Sequence, residues 1–185
     1  MLNFLISDQI QLQTLIWLIP AAFFIHDGEE ILMMERWLRN HQDYFRRMEN
    51  RFIDPGKSIT LQFTVAVLLL GTVLSLIAFG SVRWFENNGN LNLLCVGVLA
   101  VIGLDGIKHA FISLQQRAYT PGVITAILVE IPFAFYALYR FYDAGKISAS
   151  SLAGGLAIAL PLTLLLVFCG YKLGKWVIPY RSHGA

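Results

Sequence analysis

Between Ser58 and Gly80 the chain carries no ionisable residue at all. About 20 consecutive apolar residues are enough to cross ~30 Å of hydrocarbon as a helix. In lipid only a helix or a closed barrel satisfies its own backbone groups. Four further apolar runs of similar length follow the same logic. Together they predict membrane-spanning helices over 10–34, 58–80, 91–111, 121–142 and 148–177. Composition agrees with this reading: the 185 residues are 56% hydrophobic and only 14% charged, whereas soluble domains carry about 25% charged residues. Five spans use up the length, so a single transmembrane domain over 1–185 is expected, with no separate soluble domain.

The segment 35–52 differs from the spans. Trp37, His41, Tyr44, Met48 and Phe52 recur at spacings of three and four, while Arg36, Arg39, Arg46, Arg47 and Arg51 fill other positions. That is the pattern of a basic amphipathic helix lying in the membrane interface. The expected fold class is therefore all-α: a polytopic integral membrane protein with five transmembrane helices plus an interfacial amphipathic helix. The first run has neither a basic n-region nor a small-residue cleavage site, so it is expected to be a retained span.

The formal charge of +2 says little by itself, but its distribution says more. Eleven of the 14 Lys and Arg residues fall on the side reached by the exits of spans one, three and five. The positive-inside rule then places the N-terminus outside and the C-terminus in the cytoplasm, in the cytoplasmic membrane. The expected partners are the lipid bilayer and an apolar or lipid substrate, not nucleic acid. Cys95 and Cys169 fall near opposite faces and are expected to be unpaired.

Against this apolar background stands His26-Asp27-Gly28-Glu29-Glu30, preceded by an almost unbroken apolar run and followed by Ile31-Leu32-Met33-Met34. A charged residue at mid-span costs about 2.5–3.5 kcal/mol by insertion scales, so intramembrane ionisable groups mark functional sites by default. His26 lies i, i+3 from Glu29 and i, i+4 from Glu30, which puts all three toward one face. The third span stays apolar until Asp105, Lys108 and His109, and Asp105 and His109 are again i, i+4. Glu130 sits mid-way along the fourth span, three turns after Tyr119. Spans one and three run in the same direction and reach their clusters at similar depth. The three segments thus converge on one layer in the cytoplasmic half of the bilayer.

A lone buried histidine beside a carboxylate is ordinarily a packing element; three clusters at one depth argue for a site. His26, Glu29, Glu30 and His109 are the expected metal ligands. Glu130 or Asp105 would be a further ligand or general base, and Tyr119 a hydrogen-bond donor. Imidazoles with carboxylates and no cysteine suit Zn, Fe or Mn, and this inventory matches two-metal carboxylate sites inside helix bundles. Three readings remain open at this stage. One is metal-assisted hydrolysis or oxidation of a lipid. Another is metal-free proton transfer of the lipid double-bond isomerase type. The third is a carrier or binding protein for a metal or other cation, against which the scarcity of polar residues in spans two and five counts.

Smaller features have local readings. Thr120 is an expected N-cap and Pro121 an expected first helical residue. Asp27 is expected off the main face toward headgroups, Lys108 to snorkel or neutralise Asp105, Pro161 to kink the fifth span, and His41 and His183 to be solvated.

The pentapeptide, with a second histidine at His109 and the sequence Tyr119-Thr120-Pro121-Gly122, resembles the HXXEE family of membrane proteins, whose further marks are a second histidine and a YXPG motif. All three features occur here in the expected order. The resemblance implies a small helical membrane protein of bacteria. It supports the choice of site and names no reaction. Asp105 and Glu130 rest on spacing alone and not on the family motif.

Overall fold

A computed structural model of the chain describes residues 10–49 and 52–180. Six helices account for most of these residues: α1 (Leu12–Asn40), α2 (Gln42–Met48), α3 (Ile59–Asn88), α4 (Leu93–Gln116), α5 (Val123–Asp143) and α6 (Ala149–Val177). Four of them, α3 to α6, are long and apolar enough to cross a membrane. Helix α1 matches them in length, but its charged pentapeptide sets its composition apart. The opening segment 1–8 and His183 lie outside the described residues.

Local chemistry explains most helix ends. Ser58 accepts from the Leu61 amide at 3.3 Å to start α3, and Asn92 accepts from the Cys95 amide at 2.9 Å to start α4. Ser148 and Ser151 form a reciprocal capping box at the start of α6, which satisfies amides that would otherwise be orphaned. Helix α3 ends at Gly89, whose φ of 70° is the left-handed cap glycine favours. It therefore continues eight residues beyond the predicted end at Gly80: that glycine lies mid-helix, where it weakens propensity without forcing a stop.

The boundary predicted between 34 and 35 is also corrected. No breaker lies there, and α1 runs on to Asn40, supported by an Arg39–Glu35 ion pair at 2.8 Å. The break falls at His41, whose Nδ1 donates to the Trp37 carbonyl at 2.8 Å. The predicted interfacial helix is thus split between the last turns of α1 and the short α2. Its aromatic side is not turned outward. Trp37, Tyr44, Met48 and Phe52 pack on a small core of Leu38, Ile53 and Ile59.

Each long helix packs chiefly on two neighbours, in the cyclic order α1, α3, α6, α4, α5 and back to α1, while α3 and α4 barely touch across the ring. Small residues allow the tight joints. Gly97 of α4 and Gly155 of α6 meet backbone to backbone, and a Cβ at Gly170 would lie 2.9 Å from Ala66 of α3. Close approach of small residues is the joint expected between apolar helices, which gain little from hydrophobicity against one another in lipid. The main core, with Leu15, Ile19, Cys95 and Phe141 fully buried, fills the end of the ring nearest the start of α1. At the other end the Glu35 carboxylate receives the Thr60 amide and hydroxyl at 2.9 and 2.8 Å. Between the two ends the ring is hollow.

Candidate functional site

On a helix of 100° per residue, Glu30 lies 40° to one side of His26 and Glu29 lies 60° to the other. This small difference sorts the two consecutive glutamates onto opposite flanks of α1. Glu30 turns into the ring with His26. Glu29 turns away, toward the start of α5.

The inward flank meets α4 and α5. His26 Nε2 lies 3.6 Å from Asp105 Oδ2 and 3.5 Å from Glu130 Oε2. His109 Nε2 lies 3.3 Å from Glu30 Oε1 and 3.3 Å from the same Asp105 oxygen. The two imidazoles stand edge to face with centroids 4.8 Å apart. Two overlapping groups of donor atoms result, His26–Glu30–His109 and His26–Asp105–Glu130. Lys108 pairs with the other oxygen of Asp105. His26 and Glu130 are each 2% exposed, so these are groups removed from solvent.

Hydrogen bonds outside the cluster fix which ring nitrogen faces it. His109 Nδ1 lies 3.0 Å from the Pro121 carbonyl, which can only accept, so Nδ1 carries the proton. Thr125 donates its hydroxyl proton to Glu29 at 2.7 Å and therefore accepts at 3.2 Å from His26 Nδ1. Both rings consequently turn Nε2 toward carboxylate oxygens. Lone pair then faces lone pair unless a cation or a proton lies between them. His26 Nε2 and Glu130 Oε2 are buried atoms with no hydrogen-bond partner, a state that costs about 1–3 kcal/mol per group if nothing fills it.

The spacings suit an ion. Ligand atoms about 2.0–2.2 Å from a tetrahedral centre lie about 3.3–3.6 Å from one another. Metal-bound histidines also characteristically donate their other N–H to a carbonyl or carboxylate-linked acceptor, as both rings do here. The donor set of imidazole and carboxylate fits a divalent ion of the Zn, Fe or Mn class.

Glu29 lies outside this cluster. Its Oε1 accepts from the Tyr119 hydroxyl at 2.8 Å, and its Oε2 accepts from the Thr125 amide at 2.8 Å as well as from the Thr125 hydroxyl. Tyr119 accordingly faces Glu29 and not the imidazoles. Burial, and then the Glu29 carboxylate, push the Tyr119 phenol above its ordinary value. Asp27, expected among headgroups, instead lines the interior of the ring.

The Tyr119 to Gly122 stretch is more than a helix start. Gly122, at φ 86°, precedes the first residue of α5, so Pro121 is not the first helical residue, and the Thr120 hydroxyl is buried without a partner and does not cap. A Cβ on Gly122 would lie 2.9 Å from His26 Cε1, 3.0 Å from His109 Nδ1 and 3.1 Å from Glu30 Cγ. The bare backbone there forms one wall of the site. Beyond it, α5 widens into a π-helical turn over Ala126–Glu130. Pro132 lies two residues after its end and cannot donate to the ladder, which accounts for a bulge here. The turn delivers Glu130 to the cluster.

Three contributors were missed by sequence reasoning: Thr125, the Gly122 backbone and the Pro121 carbonyl. The proline two residues after Glu130 was the available signal for an irregular turn; Thr125 had none, because its role depends on two partners about a hundred residues away.

The site opens onto a cavity of about 240 Å³ inside the ring, reached by Asp27, Glu30, Asp105, His109 and Glu130. Residues 17–137, more than half of the chain, match the profile of a family described as "Protein of unknown function with HXXEE motif". The chain is also 23% identical over 159 residues to "Uncharacterized protein YrkK" of Bacillus subtilis (strain 168), covering 85% of this chain and 94% of that one. No solved structure matches.

Proposed function

The chain belongs to the HXXEE family, and from that premise we propose that it is a membrane-embedded enzyme carrying out metal-assisted hydrolysis or oxidation of a lipid or other apolar molecule. In this reading α1 is a fifth span, its 29 residues giving about 43 Å of helix. The N-terminus lies outside and the C-terminus in the cytoplasm of a bacterial cytoplasmic membrane, as the Lys and Arg distribution favours. His26, Glu30 and His109 hold a Zn, Fe or Mn ion, with Asp105 and Glu130 as further ligands. Glu29 and Tyr119 act behind them as positioning residues.

Such an ion supplies a Lewis acid and lowers the pKa of bound water to about 7, which provides a nucleophile where water is scarce. The remaining work belongs to the chain. Thr125 and the Pro121 carbonyl hold both imidazoles with Nε2 turned inward, and Glu29 in turn fixes Thr125. Glu130, at the edge of the cavity, is placed to accept or return a proton at Oε2. The apolar walls exclude bulk water from the reacting groups.

The observation that supports this most strongly is the facing of two imidazole Nε2 atoms against carboxylate oxygens at 3.3–3.6 Å, with His26 Nε2 and Glu130 Oε2 buried and unpartnered. Metal content of detergent-purified protein, measured by mass spectrometry, tests it. Stoichiometric Zn, Fe or Mn in the wild type, lost in His26→Ala and His109→Ala, is the expected result. A metal content untouched by both substitutions would remove the reading.

One observation favours a second reading. The unpartnered Glu130 Oε2 and His26 Nε2 lie 3.5 Å apart, a pair that one shared proton would join, as a lipid double-bond isomerase requires. That enzyme would hold no metal and would exchange solvent protons into its lipid.

A further inference from the structure

The cavity inside the ring extends well beyond the ionisable cluster. Val67, Leu74 and Ile77 of α3 line it opposite Leu94, Val98 and Ile102 of α4, with α6 closing the side. All the ionisable groups stand toward one end. Leu94 precedes Asp105 by 11 residues on the same helix, so the apolar shaft above the cluster is about 16 Å deep. That is close to half of a ~30 Å hydrocarbon core. Phe63 and Tyr171, with ring centroids 5.9 Å apart, lie at the inner end.

The apolar part of this cavity of about 240 Å³ forfeits dispersion contacts along its walls when nothing fills it. Smaller apolar cavities in proteins take up hydrocarbon ligands. Here the surrounding phase is itself made of hydrocarbon chains. Moving a chain from bilayer to cavity brings no hydrophobic gain, since lipid tails are as apolar as the walls. Selection therefore falls to the shape of the shaft and to the polar end of the ligand. At that end four carboxylates, Asp27, Glu30, Asp105 and Glu130, face only Lys108 and the imidazoles. The carboxyl oxygens there outnumber the ammonium of Lys108, so an end group that donates a hydrogen bond is matched and a carboxylate is not.

We propose that the cavity binds a lipid with a single hydrocarbon chain and an uncharged polar end, such as an alcohol, ester or amide. The chain lies along the shaft toward Leu94 and Ile77, and the polar end lies between Glu30, Asp105 and Glu130. Only the naming of that end as the reacting one rests on the metal-enzyme reading; occupancy of the shaft does not.

The test uses the full chain in phospholipid nanodiscs and two dodecanol analogues. One carries a photoreactive diazirine on its last carbon, the other beside the hydroxyl. The first is expected to label peptides containing Ile77, Leu94 or Val98, and the second to label Glu30, Asp105 or Glu130. Val98→Phe, which fills the shaft, should cut labelling by the first analogue at least tenfold and leave the second on the cluster. Excess hexadecanol should compete, and excess palmitic acid should not. Labelling of both analogues confined to outward residues such as Leu128, Leu165 and Trp176, or the reversed order of labels, would overturn the proposal even if Val98→Phe failed to fold. Equal competition by palmitic acid would overturn the uncharged end group. Metal content measured on the same samples separates the two ideas. Ordered labelling without metal defeats the metal enzyme and keeps the lipid site, while metal without ordered labelling does the reverse.

Discussion

Glu29 and Glu30 are neighbours in sequence and share a helix, yet they sit in opposite chemical situations. Glu29 accepts three hydrogen bonds, from the Tyr119 hydroxyl and from the amide and hydroxyl of Thr125, and is fully committed to joining α1 to α5. Glu30 faces His109 Nε2 at 3.3 Å, in a cluster that holds two orphaned atoms. The first side of α1 is satisfied by the protein alone. The second keeps two buried atoms, His26 Nε2 and Glu130 Oε2, that no group among the described residues satisfies. A carboxylate in an apolar helix does not by itself mark chemistry; what marks it is a shortage of donors around it.

Exchanging the two glutamates for glutamine gives the largest effect and the most direct break of this contrast. Glu30→Gln is expected to lose most of its bound metal while keeping its fold. Glu29→Gln should keep metal yet unfold earlier, by about 3 kcal/mol, because hydrogen bonds to charged groups are worth about 1.5–3 kcal/mol each. Metal content and thermal unfolding in detergent read both, and the reverse assignment would invert the reading of the motif.

Thr125→Val sharpens the comparison, since Thr125 touches both sides. Removing the acceptor for His26 Nδ1 should weaken metal affinity about 10–100-fold, the usual cost of losing a group that orients a ligand. Competition with a chelator of known strength measures it, and an unchanged affinity would cut Thr125 out of the site.

Gly122→Ala should cost about 2 kcal/mol of stability, from the left-handed φ of 86° and from contact with both imidazoles. Denaturant unfolding tests this; a neutral result would mean the backbone wall can retreat.

Tyr119→Phe is the smallest, about 1 kcal/mol, because its one hydrogen bond to Glu29 lies at an exposed edge where water competes. Its pH dependence has a defined sign. The phenol is raised in the folded protein, so its contribution is complete below the unfolded value of about 10. That contribution is lost as pH rises through the higher folded value. Wild type should therefore show an alkaline loss of stability that Tyr119→Phe lacks.

The apolar runs made the long helices legible, because length and composition suffice to dictate a helix in hydrocarbon. The i, i+4 pairs His26–Glu30 and Asp105–His109 were legible for the same reason: periodicity alone places them on one flank. Glu29 shows where that logic stops. A spacing of i, i+3 shares a broad face with i, i+4, and only the position of α5 decides that it turns the other way. Helix ends were read poorly at 34 and at Gly80, where a change of composition was mistaken for a change of conformation. The role of Gly122 was hidden because its effect is the absence of a side chain at a contact made by α1 and α4 together.

The cyclic order of the helices has a consequence for when the site comes into being. The joint between α1 and α5 is made largely by the motif residues, and α6, the last helix in sequence, then closes the ring between α3 and α4. Asp105, His109 and Glu130 reach His26 only after most of the chain has been synthesised. A nascent protein halted before Glu130 would expose His26 and Glu30 without their counterparts. The cluster thus comes together only once α5 has been made, one helix before α6 completes the ring.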